Sequence, residues 1–191
     1  MKSLGYYKYR FGRFATACKF YTYNSFVTNL PGYGLRTFYL RHVLKIKIGK
    51  GTAIHMGCLF MGRNIEIGNN TVINRSCRFD GRVGKIEIKN NVSLSVESYL
   101  LTESHLPNDP NFKSVSGGIT INDYAWIGLR SIIMPGVTIG VGSIVGAAST
   151  ATKSIGDYKI AVGSPAKVIG ERNKELDYTL SYFPFFNTDI F

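Results

Sequence analysis

Three histidines and three cysteines are the side chains of this sequence best suited to acid–base or nucleophilic work at neutral pH. His42 lies in the stretch LRTFYLRHVLK, His55 follows an isoleucine, and His105 heads the run HLPNDPNFKSVSGG. A neutral imidazole can take the proton from a hydroxyl as that hydroxyl attacks an activated acyl group. Such general-base help contributes about 10²–10⁴-fold to a rate. Cys18, Cys58 and Cys77 are odd in number and stand in no metal-ligand spacing. That pattern suits a reduced, cytoplasmic protein with neither a disulfide framework nor a metal site.

The elements that must position these residues follow from a six-residue repeat over 46–156. From Ile121 the chain reads INDYAW, IGLRSI, IMPGVT, IGVGSI, VGAAST, ATKSIG. The same rule, with breaks, runs through Ile48, Ile54, Phe60, then Ile67, Ile73, Phe79, then Ile88, Leu94, Leu100. Fifteen apolar leads in a chain that is 45% hydrophobic arise by chance on the order of once in 10⁵ trials. Period six matches neither an α-helix nor a heptad. Triplets of hexads begin at 48, 67, 88, 121 and 139, so every excess over eighteen residues falls after a third hexad. A three-walled parallel coil explains this. Leads stack inward, the fourth residue after each lead must be small, and corners of positive φ favour Gly or Asn. About five turns are expected over 46–168, with residues 1–45 and 169–191 covering the ends. A short helix is expected over 35–45, with Leu35, Phe38, Tyr39 and His42 on one face.

Within this register His105 ends the third hexad of the third coil, directly before the only long insertion, residues 106–118. Such loops carry sites. Gly84 is expected beneath His105 and Thr138 above it, with Glu103 over Arg82 as an ion pair. His55 is expected to point outward. Cys58 and Cys77 occupy inward small positions and read as core thiols.

Charge is as uneven as the pattern. The net charge is +11. Residues 1–65 carry eleven Lys or Arg and no acid, and residues 1–45 hold twelve of the twenty-four Tyr and Phe. This segment suits either an aromatic plug on one end of the coil or contact with an anionic surface such as a membrane leaflet. No nucleic acid is expected. No stretch reaches the ~18 unbroken apolar residues of a spanning helix.

The runs LLTESHLPNDPNF, ITINDYAWIG, IIMPGVTIGVGSIVGAAS and VGSPAKVIG, with the hexads, resemble the hexapeptide-repeat acyltransferases over about 46–172. The nearest branch is the sugar O-acetyltransferases of bacterial polysaccharide synthesis, including the colanic acid type. The resemblance implies a left-handed parallel β-helix closed by a C-terminal helix, and a homotrimer with sites between subunits. It implies acetyl-CoA as co-substrate without a metal, a saccharide acceptor, and His105 as the base. It further implies Asn74 and Asp80 near the acceptor. Trp126, Leu129, Ala147, Thr152, Lys153 and Lys167 are implied along the coenzyme. Gly170 departs from the pattern of a second basic residue there, with Arg172 as the expected substitute. Two alternatives stay open: an N-acetyltransferase of an amino sugar or antibiotic, and a non-catalytic scaffold that binds an anionic surface. A metal-dependent enzyme of the same fold would need three histidines, and only His105 is suitably placed.

Overall fold

A computed structural model describes residues 4–184 and 186. Short strands wind into a parallel β-helix of three walls. The first face stacks Lys47–Ile48, Ile65–Ile67, Ile86–Ile88, Ile119–Ile121 and Thr138–Ile139. The second stacks Ala53–Ile54, Val72–Ile73, Ser93–Leu94, Trp126–Ile127, Ile144–Val145 and Lys159–Val162. The third stacks Leu59–Met61, Arg78–Asp80, Tyr99–Leu101, Ile132–Ile133 and Thr150–Ala151. The predicted register holds: Ile48, Ile67, Ile88, Ile121 and Ile139 pair in succession. There are five full turns and the start of a sixth.

The core is a column of aliphatic side chains. Fourteen of the fifteen leads are buried, and Ile48, on the first turn, is half-buried. Burying each contributes about 1.5–3 kcal/mol. The small inward positions are filled by Cys58, Cys77, Ser98, Ala125, Ser131, Ser143 and Ser149. Both buried thiols donate to a carbonyl, Cys58 to Asn74 and Cys77 to Ser95, and burial raises the Cys77 thiol well above its ordinary range. The corners differ from expectation. Only six of 21 glycines have positive φ, and Ser76, Glu97, Tyr124, Arg130 and Ala148 turn corners as well. Elsewhere glycine serves close approach between turns: a Cβ on Gly49 would lie 2.4 Å from the Gly68 carbonyl oxygen.

The first turn would leave three strand edges open, and the N-terminal segment closes each one. Helix α1 (Leu4–Ser25) places Asn24 against Phe60, where its side chain both donates to and accepts from the backbone. Thr28 donates to the Cys58 carbonyl. Arg41 donates to the carbonyls of Ile48 and Gly49. Helix α2 (Tyr33–Phe38), continued by a wide turn at Tyr39–Val43, buries Arg36, which donates to the carbonyls of Ile54 and Leu30. This corrects the expected helix face. Leu35, Phe38 and His42 are exposed and Tyr39 is half-buried, while Arg36, Leu40 and Leu44 are buried. Unpaired carbonyls at a sheet edge demand donors, and that demand outweighs the apolar stripe.

Among the described residues the expected C-terminal helix does not form. Lys167–Glu171 is a strand antiparallel to Lys159–Val162, and residues 172–184 form neither helix nor strand. The tail descends the first–second corner across the turns. Arg172 donates to the carbonyls of Tyr124 and Gly142, Leu180 N–H to Asn91, and Tyr33 Oη to the Pro184 carbonyl. Leu176, Tyr178 and Leu180 recur at period two with alternating exposure, which is strand patterning and not helix patterning. Phe185 and Phe191 lie outside the described residues. The tail also corrects the reading of His55, which is buried with its ring stacked on Tyr182 and edge-on to Tyr33.

Candidate active site

The long insertion is a β-hairpin that leaves the prism at the third–first corner. Glu103–His105 pairs antiparallel with Ser114–Ser116, and His105 faces Ser114 across the ladder. The register expected within the coil therefore ends at Thr102. Gly84 N–H is held by Thr102 Oγ1 instead of lying under His105, and Thr138 pairs with Thr120.

His105 is exposed, yet its ring is fixed on two sides. It stacks on Phe112, with centroids 3.9 Å apart and planes inclined by 15°. Its Nδ1 lies 3.0 Å from the Phe112 carbonyl oxygen. A carbonyl only accepts, so the proton of the neutral ring sits on Nδ1 and the lone pair on Nε2. The backbone makes this possible: Phe112 has φ of +53°, and its N–H bonds the Asp109 carbonyl. Phe112 had been visible only as part of the string that resembles a known histidine segment. Its part as platform and acceptor depends on a turn that the string does not display.

Asp80 and Arg82 sit at the same corner, one turn below. The Asp80 carboxylate is buried and accepts from Arg82 Nε at 2.8 Å and Nη2 at 2.7 Å. Those bonds hold Asp80 below the usual carboxylate range. The expected Glu103–Arg82 pair is thus replaced by Asp80–Arg82, because the hairpin carries Glu103 off the coil. Asn74 stands at the second–third corner, where its amide donates to the Leu94 carbonyl, as Asn122 does to Ile139 two turns higher. In this chain Asn74 ties adjacent turns and lies apart from Asp80.

The other expected residues divide between places. Leu129 and Ala147 are exposed and stacked at the second–third corner, where Ala148 N–H bonds the Leu129 carbonyl. Trp126 is exposed on the second face, its indole N–H donating to Ser95 Oγ. Thr152 and Lys153 are exposed at the third–first corner on the fifth turn, and Lys167 is exposed on the closing strand. Arg172 is engaged by Tyr124, Gly142 and Tyr178, so it does not substitute at Gly170. One chain therefore separates His105 from Leu129 and Ala147 by the width of the third face, on the order of 15–20 Å for a six-residue side. Among the described residues no cluster of His, Cys, Asp and Glu could hold a metal ion.

A galactoside acetyltransferase solved in complex with coenzyme A superposes on 89% of this chain and 88% of its own, with TM-score 0.73 and 26% identity. The chain has the hexapeptide-repeat acetyltransferase fold. No family model matches it. A putative acetyltransferase of Schizosaccharomyces pombe is 44% identical over 99 residues, which is 49% of this chain and 46% of that protein. A putative colanic acid biosynthesis acetyltransferase of Escherichia coli is 38% identical over 90 residues, 47% of this chain and 50% of that protein. The chain thus spans about half the length of the curated relatives it matches.

Proposed function

We propose that this protein transfers an acetyl group from acetyl-CoA to a hydroxyl of a saccharide, with His105 as general base, in the making of a bacterial polysaccharide or its precursor. The observation that carries this is the fixed ring of His105, whose Nδ1 is committed to Phe112 and whose Nε2 is left with the lone pair. The acceptor oxygen attacks the thioester carbonyl carbon while Nε2 removes its proton. The tetrahedral adduct collapses, the carbon–sulfur bond breaks, and the departing thiolate takes the proton back from the imidazolium. Products are an ester and free coenzyme A, with no acyl group ever on the protein. Cys58 and Cys77 are buried and play no part.

The distribution of the site supports a homotrimer. The first–second corner is covered by the tail, which leaves the third–first corner with His105 and the second–third corner with Leu129 and Ala147. Joining one to the other on a neighbouring copy is a head-to-tail contact, the kind that closes into a ring. Coenzyme A would lie along Leu129 and Ala147, with Trp126 beside it and Thr152, Lys153 and Lys167 toward its phosphates. Asp80, anchored by Arg82, would border the acceptor, and Asn74 would do so from the neighbouring copy. The described residues contain no helix long and apolar enough to cross a membrane. The basic aromatic α1 would instead rest the protein against an anionic, cytoplasmic membrane face.

The test is thiol release from acetyl-CoA over a panel of free and lipid-linked saccharides. His105→Ala should abolish release, and an alkali-labile product marks an ester where an alkali-stable one marks an amide. Mixing His105→Ala chains with Ala147→Arg chains should restore part of the activity, because some sites between chains then carry neither change. Failure of any mixture to recover would overturn the shared site.

A further inference from the structure

A cleft of about 780 Å³ opens between α1 and the third–first corner of the first two turns. Its volume is that of a small-molecule site. Phe20, Phe60 and Met61 give it an apolar wall, while Lys8, Arg13 and Arg82 supply cations. None of its lining residues is acidic. Arg82 is held at the wall by the bidentate pair with buried Asp80, which compensates its charge, so the positive charge of the cleft is that of Lys8 and Arg13. Arg63 tethers α1 to the corner through Thr16.

The outer side of α1 has a second pattern. Tyr7, Phe11, Phe14 and Tyr21 follow helical spacing on one stripe and are all more than half exposed, Phe11 at 72%. Lys8, Arg10, Arg13 and Lys19 flank this stripe without any acid. An aromatic stripe with basic flanks suits the boundary between headgroups and acyl chains.

We propose that the cleft binds the lipid phosphate end of the acceptor: a saccharide carried on a long-chain prenyl phosphate or diphosphate in the bilayer. This rests on the acetyltransferase reading and names its acceptor class. Charge complementarity selects the phosphate, and the apolar wall selects the first part of the chain. The cleft and His105 share one corner, and the hairpin leaves the corner two turns above the first. Two turns rise about 10 Å along the coil axis, a rise that one or two sugar rings span. Lipid below, phosphate at the cations and sugar hydroxyl at the imidazole then lie in the order in which such an acceptor is built.

The test uses a fluorescent short-chain prenyl diphosphate with the full chain. The probe should bind, and both inorganic pyrophosphate and the prenyl alcohol should compete at least tenfold more weakly. Gly12 lines the cleft on α1, and a Cβ there meets nothing within 4 Å. Gly12→Phe should therefore fill the cleft, keep the melting temperature and reduce probe affinity about tenfold or more. Lys8→Gln with Arg13→Gln should do the same by removing charged donors. His105→Ala should bind the probe as the unaltered protein does. Probe binding unchanged by Gly12→Phe would overturn the proposal. So would equal binding to vesicles of anionic glycerophospholipid and to vesicles carrying prenyl phosphate, which would make α1 a membrane face only. Absence of thiol release with every saccharide, beside intact probe binding, would instead refute the acetyltransferase reading.

Discussion

The coil and the hairpin it extrudes at 103–116 obey opposite rules. On the coil every lead side chain is at least half-buried, and the stacked turns hold one another in place. On the hairpin no side chain is buried, and order rests on a three-residue ladder, the hydrogen bonds of the turn and one ring stacked on another. The difference separates stability from chemistry. Residues that build the prism are too enclosed to meet a substrate. The residue proposed to move a proton contributes no core contact, so its position depends on the rigidity of the corner beneath it.

His105→Ala is expected to have the largest effect, a loss of about 10²–10⁴-fold in kcat/KM with an unchanged melting temperature. Steady-state thiol release with thermal denaturation checks both halves, and a fallen melting temperature would break the separation. Ile127→Ala on the coil should do the reverse and cost about 2–5 kcal/mol in denaturant unfolding. Arg36→Ala leaves the carbonyls of Ile54 and Leu30 without their buried donor and should cost about 1–3 kcal/mol by the same measurement. Phe112→Ala keeps the carbonyl but removes the stacked ring. It should cost about 0.5–1.5 kcal/mol of activation free energy, with Phe112→Tyr restoring the rate.

The smallest effect concerns the exposed outer side of the first face. Hydrogen bonds from Lys47, then Lys85, pull the Glu66 carboxyl down to about 2. Its folded value lies below the ordinary 4.5, so its contribution is present above pH 4.5 and lost as pH falls toward 2. Because these charges are exposed, Glu66→Gln should change unfolding only slightly at neutral pH and flatten the acid limb.

Legibility in the sequence follows the same division. The inward leads of the coil could be read, since sterics enforce an apolar residue every sixth position and leave the excess length only at one corner, whereas its corner residues and the burial of His55 could not. The excess marked His105 as lying beside the one long insertion, but not that the chain leaves the coil at Glu103 and carries His105 with it. Its orientation was not legible either, because it depends on a positive φ at Phe112 and a backbone carbonyl, neither of which residue types announce. The α2 face was misjudged because open strand edges recruit Arg36 where apolar spacing favours Leu35 and Phe38. The tail was misjudged because resemblance suggested a helix where Leu176, Tyr178 and Leu180 alternate as a strand does.

A stack in which each layer grips only the next can fray from either extremity. Here a single ribbon of chain fastens layer five, layer four, layer three and layer one in series, and at Pro184 it meets the lid beneath them. Loosening at the top must therefore drag on the bottom. Such a fastening turns a row of semi-independent units into one cooperative body, which keeps distant corners in register for any neighbour that must dock on both.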